Sequence, residues 1–523
     1  MFRPDANRDR IDYSRMLMTP DGYKLDKAVG TTYSLDLEAL TAIAICLGLS
    51  EATDSQLVKN PISMLNALQK VSDKMVVFCE AGQIKVPSKS SALSILLEKI
   101  VVEIALPKDK NSGRYPAFHP KTWVLAYVNS NGDKKYRLAV MSRNLTFDRS
   151  WDISFAMDSS TRVSQKEKTK PICDFLEYLA ENVHNTSSRA GARRNLIRGL
   201  RRELEDVSFA LDSKVFGENF EVLPLGIGRK AHPMKDDALF CTERGNANAT
   251  FNELVIMSPF LSESVIADFN RKERALSKCK RTLITRRSEL AKLKAADADH
   301  FAVYVLKDEI VDGEDAISDE MTDKKMQDIH AKLYFRRKYA DVDVYLGSMN
   351  ASYAAVNQNV EMMLRLGTKN MYLNGEKFLE DIFCGPADGV KNPFEQVIVS
   401  DAVREPENDN RNLLEQKIKA LCRVKRQAVI TEDEENIGKY RITIVFAGAE
   451  NDDSIRVSPL NSKQAQSLKE RIEFADMDLL QLSEFYEVTA QLGEEELRRV
   501  MMIPTSGFPE ERESAVVNSV VKD

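Results

Sequence analysis

Several residue types that mark whole classes of protein are scarce in this chain. Its 523 residues include two tryptophans, five histidines and seven cysteines. The cysteines, at 46, 79, 173, 241, 279, 384 and 422, have no paired spacing. That argues against a disulfide framework and suits reduced thiols. No stretch approaches the roughly 18 apolar residues that span a bilayer, and Met1 to Arg10 lack an apolar core for secretion. A cytoplasmic protein is expected. The tryptophans, Trp123 and Trp151, both lie in the motif region described below. A basic amphipathic helix studded with exposed aromatics, the usual device for lying on lipid, is therefore not anticipated, and no membrane partner is expected. A Gly-rich GxxxxGK loop is missing, so any ATP-driven step would need a partner such as a helicase or translocase. No His/Cys/Asp cluster has metal-ligand spacing, and no metal or other cofactor is expected.

Two of those few histidines begin patterns that recur in the same order. His119-Pro120-Lys121 is followed by Ser142-Arg143-Asn144, and His330-Ala331-Lys332 by Ser348-Met349-Asn350. Side chains at i and i+2 of a strand leave on one face, so each His-x-Lys is predicted to set an imidazole beside an ammonium. Residues 122–128 and 332–335 are rich in aromatic and β-branched residues, as strands are. Pro120 removes a ladder donor, which places His119 at a strand entry. Each Ser-x-Asn leaves a second strand, 136–141 or 342–347. Asp152 and Glu361 follow their asparagines by 8 and 11 residues, each ahead of an apolar strand. A carboxylate there could orient an imidazole and fix its tautomer. Which acid serves which histidine stays open at this point.

Such a cluster suits attack on a phosphodiester. Histidine titrates near neutrality and can act as nucleophile, acid or base without a large environmental shift. Lysine places positive charge against the non-bridging phosphate oxygens, and asparagine adds a directional donor. Two facing copies allow in-line displacement, with one imidazole attacking while the other protonates the leaving oxygen. A covalent phosphohistidine results, which water then hydrolyses. One His-x-Lys alone is usually a surface pair; two complete sets argue for a site.

These residues resemble the phospholipase D superfamily, whose duplicated motif is His-x-Lys followed by Gly/Ser-x-Asn. Gly347-Ser-Met-Asn350 and Asn357-Gln-Asn-Val-Glu361 match that pattern closely. The aspartate usual after the lysine is replaced by Ala126 in one copy and Arg337 in the other. This resembles the tyrosyl-DNA phosphodiesterase branch and some bacterial nucleases of the superfamily. The resemblance implies that His119 is the nucleophile and His330 the general acid. It further implies that Lys121, Lys332, Asn144, Asn350, Ser142 and Ser348 hold the phosphate, and that no metal is required. Similar bacterial nucleases serve restriction or antiviral defence.

The implied fold is α/β: two phospholipase-D-like α/β/α domains related by a pseudo-twofold, plus a small C-terminal α+β or β-rich domain. Length alone suggests about three domains, and a hydrophobic content of 43% with 29% charged residues is that of a globular protein. The expected divisions are an N-terminal extension (1–30), a first half (31–215), a second half (216–404) and an accessory domain (405–523). Strand-like runs alternate with helix-like ones in both halves. From about 405 the texture changes, with a polar linker, a helix at 412–422 and strands near 440, 455, 485 and 498.

Substrate class rests on charge. The net charge of −6 does not advertise nucleic acid, but it hides local patches. Arg193, Arg194, Arg201 and Arg202 share a probable helix with Arg189 and Arg198, and residues 271–287 carry eight basic residues against one acidic, Glu273. Solvated faces would explain both runs; contact with a phosphate backbone is the functional alternative. Nucleic acid is the expected partner, with a phospholipid hydrolase or a nucleic-acid-binding subunit of a larger assembly as the other readings.

Overall fold

The computed structural model describes residues 16–49, 61–88, 92–109, 113–147, 150–162, 164–184, 189–228, 237, 239–240, 246–307, 328–389, 391–400 and 409–522. Residues 1–15 of the N-terminal extension, Cys241 and residues 404–408 of the expected linker lie outside them.

The chain is a mixed α/β protein with several sheets. The first large sheet contains β1 (Tyr23–Thr32), β2 (Met75–Glu80), β3 (Val101–Ile104), β4 (Thr122–Asn129), β5 (Lys134–Met141), β6 (Ser154–Ser159) and β7 (Phe209–Ala210). Their spatial order is β7-β6-β5-β4-β1-β2-β3. The second contains β8 (Phe220–Leu225), β9 (Phe251–Met257), β10 (Ala275–Ile284), β11 (Ala302–Leu306), β12 (Leu333–Lys338), β13 (Asp341–Gly347), β14 (Glu361–Lys369) and β15 (Phe394–Val397). Its order is β8-β14-β13-β12-β9-β10-β11-β15. The run β6-β5-β4-β1-β2-β3 thus repeats as β14-β13-β12-β9-β10-β11. Orientations repeat as well: β1 pairs with β2 in parallel and with β4 in antiparallel, as β9 pairs with β10 and β12.

Strand periodicity explains how the sheets are covered. Along β4, Val124 enters a core shared by both sheets, while Trp123 and Leu125 face the opposite side. The shared core takes Val29, Leu138 and Val140 from one sheet and Met257, Phe335 and Leu346 from the other, with helices Lys170–Glu181 and Ala190–Leu204 packed into it. Each such side chain contributes about 1.5–3 kcal/mol through burial. Helices Leu37–Gly48 and Pro61–Ser72 cover the outer face of the first sheet, and Glu263–Asn270 covers that of the second. Gly30 lies opposite Trp123 in the ladder, and a Cβ there would stand 2.8 Å from the indole.

Beyond the helix Asp409–Leu421 the chain is rich in strands. A four-stranded sheet joins Arg426–Glu432, Tyr440–Phe446, Arg471–Met477 and Thr505–Ser506. A six-stranded sheet joins Asp452–Pro459, Gln466–Leu468, Phe485–Leu492 and Glu495–Met502 to two short strands nearer the N-terminus, Leu35–Asp36 and Ile84–Lys85. Among the described residues, no helix is long and apolar enough to cross a membrane.

Candidate active site between the two sheets

Both His-x-Lys motifs stop short of the strands expected to carry them. His119 to Lys121 precede β4, and His330 to Lys332 precede β12. Proline cannot be the only cause, because the second copy has none. The reason lies in where the backbone bonds go. The N–H of His119 donates to Val360 O at 2.9 Å, and the N–H groups of His330 and Ala331 donate to Trp151 O at 2.9 and 2.8 Å. Val360 directly precedes Glu361, and Trp151 directly precedes Asp152. Each motif is therefore tied to the segment bearing the other half's acid.

The carboxylates pair crosswise as a result. His119 Nδ1 lies 2.9 Å from Glu361 Oε2, and His330 Nδ1 lies 3.0 Å from Asp152 Oδ1. Each acid is held within its own half by the motif serine. Ser142 Oγ donates to Asp152 at 2.8 Å and accepts from Ile153 N at 2.9 Å. Ser348 Oγ donates to Glu361 and accepts from Met362 N at 2.9 Å. The two acids occupy equivalent places despite their different spacing, since the short helix Tyr353–Asn357 takes up the extra length. Glu361 begins β14, whose first four residues are buried as expected, whereas the strand after Asp152, β6, is largely unburied.

Ser142 and Ser348, expected to bind phosphate, are fully buried and donate their hydroxyls to Asp152 and Glu361. Two further contributors were not anticipated. The Tyr33 ring meets His119 edge-on with centroids 5.0 Å apart. Asn359 donates to Glu361 Oε1 at 3.1 Å and accepts from Ala117 N at 3.0 Å. Tyr33 lies far from either motif in sequence, but Asn359 is two residues from Glu361 on the same strand approach and was open to that reasoning.

Lys121 and Lys332 are fully buried. Lys121 Nζ donates to His119 O at 2.9 Å. Lys332 Nζ donates to His330 O at 2.6 Å and to Ser142 O at 3.4 Å, and lies 3.2 Å from His330 Nδ1. Burial and the charge of Lys332 push the Lys121 ammonium well below its ordinary value. Burial, with the lysine charges, also pushes both histidines down to about 4, against the pull of their carboxylates. Burial opposes ionisation of Glu361 and Asp152, but the bonded histidines, lysines and serines outweigh it and hold both below the usual carboxylate range. Two imidazoles, each beside a carboxylate, therefore stand next to two buried, crowded lysines. Asn350 Oδ1 and Asp152 Oδ2 are buried with no hydrogen-bond partner among the described residues. Asn144 Oδ1 accepts from Ser34 N at 3.5 Å. The crowded lysines fit an anion, which would relieve the repulsion between them. Among the described residues, no group of three or more His, Cys, Asp or Glu is arranged to hold a metal.

The basic segments are placed differently from expectation. Arg193 is buried, donating to Glu98 O and Lys99 O, so it is a structural residue rather than a phosphate contact. Arg194 donates to Val183 O at 2.8 Å, and Arg201 pairs with Glu177 and Glu205. Arg202 is exposed. In the second segment, Arg274 and Arg281 are buried against backbone carbonyls. Arg286 is the member beside the site, donating to Ile329 O at 2.8 Å and pairing with Asp328 at 2.9 Å.

No family model and no curated protein matches the chain. Among solved structures, the chain is similar to a polyphosphate kinase from Porphyromonas gingivalis, at 13% identity and a TM-score of 0.38 over 78% of this chain and 51% of that one. It is also similar to a phosphatidylserine synthase from Haemophilus influenzae Rd KW20, at 11% identity and a TM-score of 0.37 over 76% of this chain and 88% of that one. The chain spans about half the length of that polyphosphate kinase.

Proposed function

We propose that this chain is a phosphodiesterase of the phospholipase D type, built from two halves related by a pseudo-twofold, and that its substrate is a nucleic-acid strand. The observation that carries the reading is the crosswise exchange of carboxylates between two His-x-Lys motifs around buried, crowded lysines. In the first step His119 Nε2 attacks phosphorus. The bond from phosphorus to the leaving oxygen breaks, and His330, entering the step as an imidazolium with its Nδ1–H held by Asp152, gives that oxygen its Nε2 proton and is left neutral. Lys121, Lys332, Asn144 and Asn350 hold the non-bridging oxygens. In the second step His330 takes a proton from water, the hydroxide attacks phosphorus, and the phosphorus–nitrogen bond to His119 breaks. Charge, nucleophile and acid all come from side chains, so the reading calls for no divalent ion.

The tyrosyl-DNA phosphodiesterase-like style of the motifs favours nucleic acid, and we place the protein in restriction or phage defence, in the cytoplasm, with an ATP-driven translocase as partner. The C-terminal strands form the accessory domain of that arrangement. The test offers purified protein a single-stranded and a duplex polynucleotide and phosphatidylcholine vesicles in EDTA, beside His119→Ala. Cleavage of a polynucleotide by the parent alone is expected. Choline release would replace this reading with a lipase, tight binding without turnover with an assembly subunit, and activity lost in EDTA but restored by Mg²⁺ with a metal mechanism.

A further inference from the structure

We infer that Phe147 and Tyr353 are paired stacking ledges that hold the bases on either side of the scissile phosphate, which makes the substrate a single strand. The inference rests on the nuclease reading above and adds what the rim of the site recognises.

Large aromatic side chains stand exposed at few described positions: Phe147, Phe260, Tyr339, Tyr353 and Tyr372. Two of them fall at the same place in the internal repeat. Phe147, 53% exposed, is three residues beyond Asn144, and Tyr353, 52% exposed, is three beyond Asn350. Their equivalence is structural as well as numerical. The residue after each asparagine makes a parallel bridge to the segment that follows the first parallel strand of its sheet, Leu145 to Leu35 after β1 and Ala351 to Leu261 after β9. An exposed aromatic ring forgoes the stabilisation of burial, and the sequence does so at both symmetry-related positions.

The second ledge is the broader one. Phe260 directly precedes Leu261, is 40% exposed, and carries the Arg286 guanidinium 4.8 Å from its ring centroid. Tyr353 N donates to Ser262 Oγ at 2.9 Å, tying this ledge to the same loop. Arg286 in turn bonds the carbonyl of Ile329, beside His330. An exposed ring three residues past the clamp asparagine of each half, with Phe260 and its Arg286 cation on the loop bonded to the second, suits stacked bases followed by a backbone. Every base presents a π face, so such ledges tolerate any sequence, at about 1–3 kcal/mol per stacked base. Base pairing in a duplex keeps those faces inside the helix, whereas a single strand offers them. A lipid surface suits this rim less well, because the guanidinium on Phe260 would have to follow the ring into the acyl region.

The test compares a short single strand with an abasic strand of the same length and backbone, for the parent, Phe147→Ala/Tyr353→Ala and Phe147→Trp/Tyr353→Trp. For the parent, KM on the normal strand should lie about 30-fold or more below that on the abasic one, as two stacked bases at about 1–3 kcal/mol each imply. The alanine pair should bring the ratio toward one, and the tryptophan pair should restore it. A ratio kept by the alanine pair would overturn the ledges while leaving the nuclease reading intact. Failure of the parent to cleave either strand would overturn the nuclease reading itself. Vesicle binding that the alanine pair abolishes would assign the rim to lipid.

Discussion

The two halves contain the same parts, yet their imidazoles keep different company. His119 Nδ1 faces a single partner, Glu361 Oε2 at 2.9 Å. That contact requires a proton on Nδ1 and leaves the lone pair on Nε2, the form a nucleophile needs. His330 Nδ1 lies 3.0 Å from Asp152 and 3.2 Å from Lys332 Nζ, between an acceptor and a donor. With a phosphodiester anion bound, His330 can carry a proton on both nitrogens, the Nδ1–H held by Asp152 and the Nε2–H free to be given up, the form a general acid needs. Lys121 instead donates to the backbone carbonyl of His119 and leaves the ring alone. The repeat thus gives each imidazole a carboxylate, and the second also a lysine nitrogen 3.2 Å from its Nδ1.

Removal of each imidazole should break that comparison most sharply. His119→Ala should abolish turnover on every substrate. His330→Ala should slow a natural diester about 10²- to 10⁴-fold, the usual worth of general acid catalysis, but a nitrophenyl ester much less, since its leaving group needs little protonation. Equal losses on both esters would dissolve the division of labour. The carboxylates come next. Glu361→Gln should behave as a weaker His119 variant, slow on both esters, whereas Asp152→Asn should spare the nitrophenyl ester as His330→Ala does. Double variants decide the pairing: Asp152→Asn should add little to His330→Ala, because partners acting as a unit are not additive. Additive losses there would contradict the crosswise arrangement.

The pH profile sharpens the same point with a smaller effect. Burial pushes both histidines down to about 4. His119 attacks as the neutral ring, so the acid limb of kcat/KM should fall near pH 4 rather than near the ordinary value of about 6.5. A bound phosphodiester anion offsets the lysine charge that depresses His330, so the His330 limb should stand at higher pH in kcat than in kcat/KM. Coincident limbs near 6.5 would show that neither ring is buried as described.

Much of this was legible in the sequence because scarcity gives a pattern weight. With only five histidines in the chain, two ordered His-x-Lys and Ser-x-Asn sets pointed to a repeat, and the two large sheets show the same strand order. The pairing of acids was hidden, since Asp152 lies close in sequence to Asn144 while its histidine partner is 178 residues away. The bonding of the serines was hidden for a related reason: a hydroxyl beside an asparagine reads as a phosphate donor until the buried carboxylate it bonds is seen. Exchange between halves has no periodicity to betray it. The strand-entry position of His330 was likewise invisible, because its cause is the carbonyl of Trp151 rather than any local residue.

The smallest expected effect concerns the arginine helix of the first half, set against the basic strand of the second. Charge density alone treats residues 189–202 and 271–287 alike. Their bonding does not: Arg193, Arg194 and Arg201 are engaged within the fold, and Arg202 is exposed with its Nε on the carbonyl of Arg198. Arg286 sits beside His330 and over Phe260. Taking one cation away from the phosphate backbone lowers the log–log salt slope of binding by about 0.7 on a single strand. Arg286→Ser should therefore flatten the slope by about that amount, while Arg202→Ser should leave it alone. Arg193→Ser should lower the melting temperature, because Glu98 O and Lys99 O would lose a buried donor. A slope that responds to Arg202 and not to Arg286 would move the polynucleotide path onto the helix Ala190–Leu204.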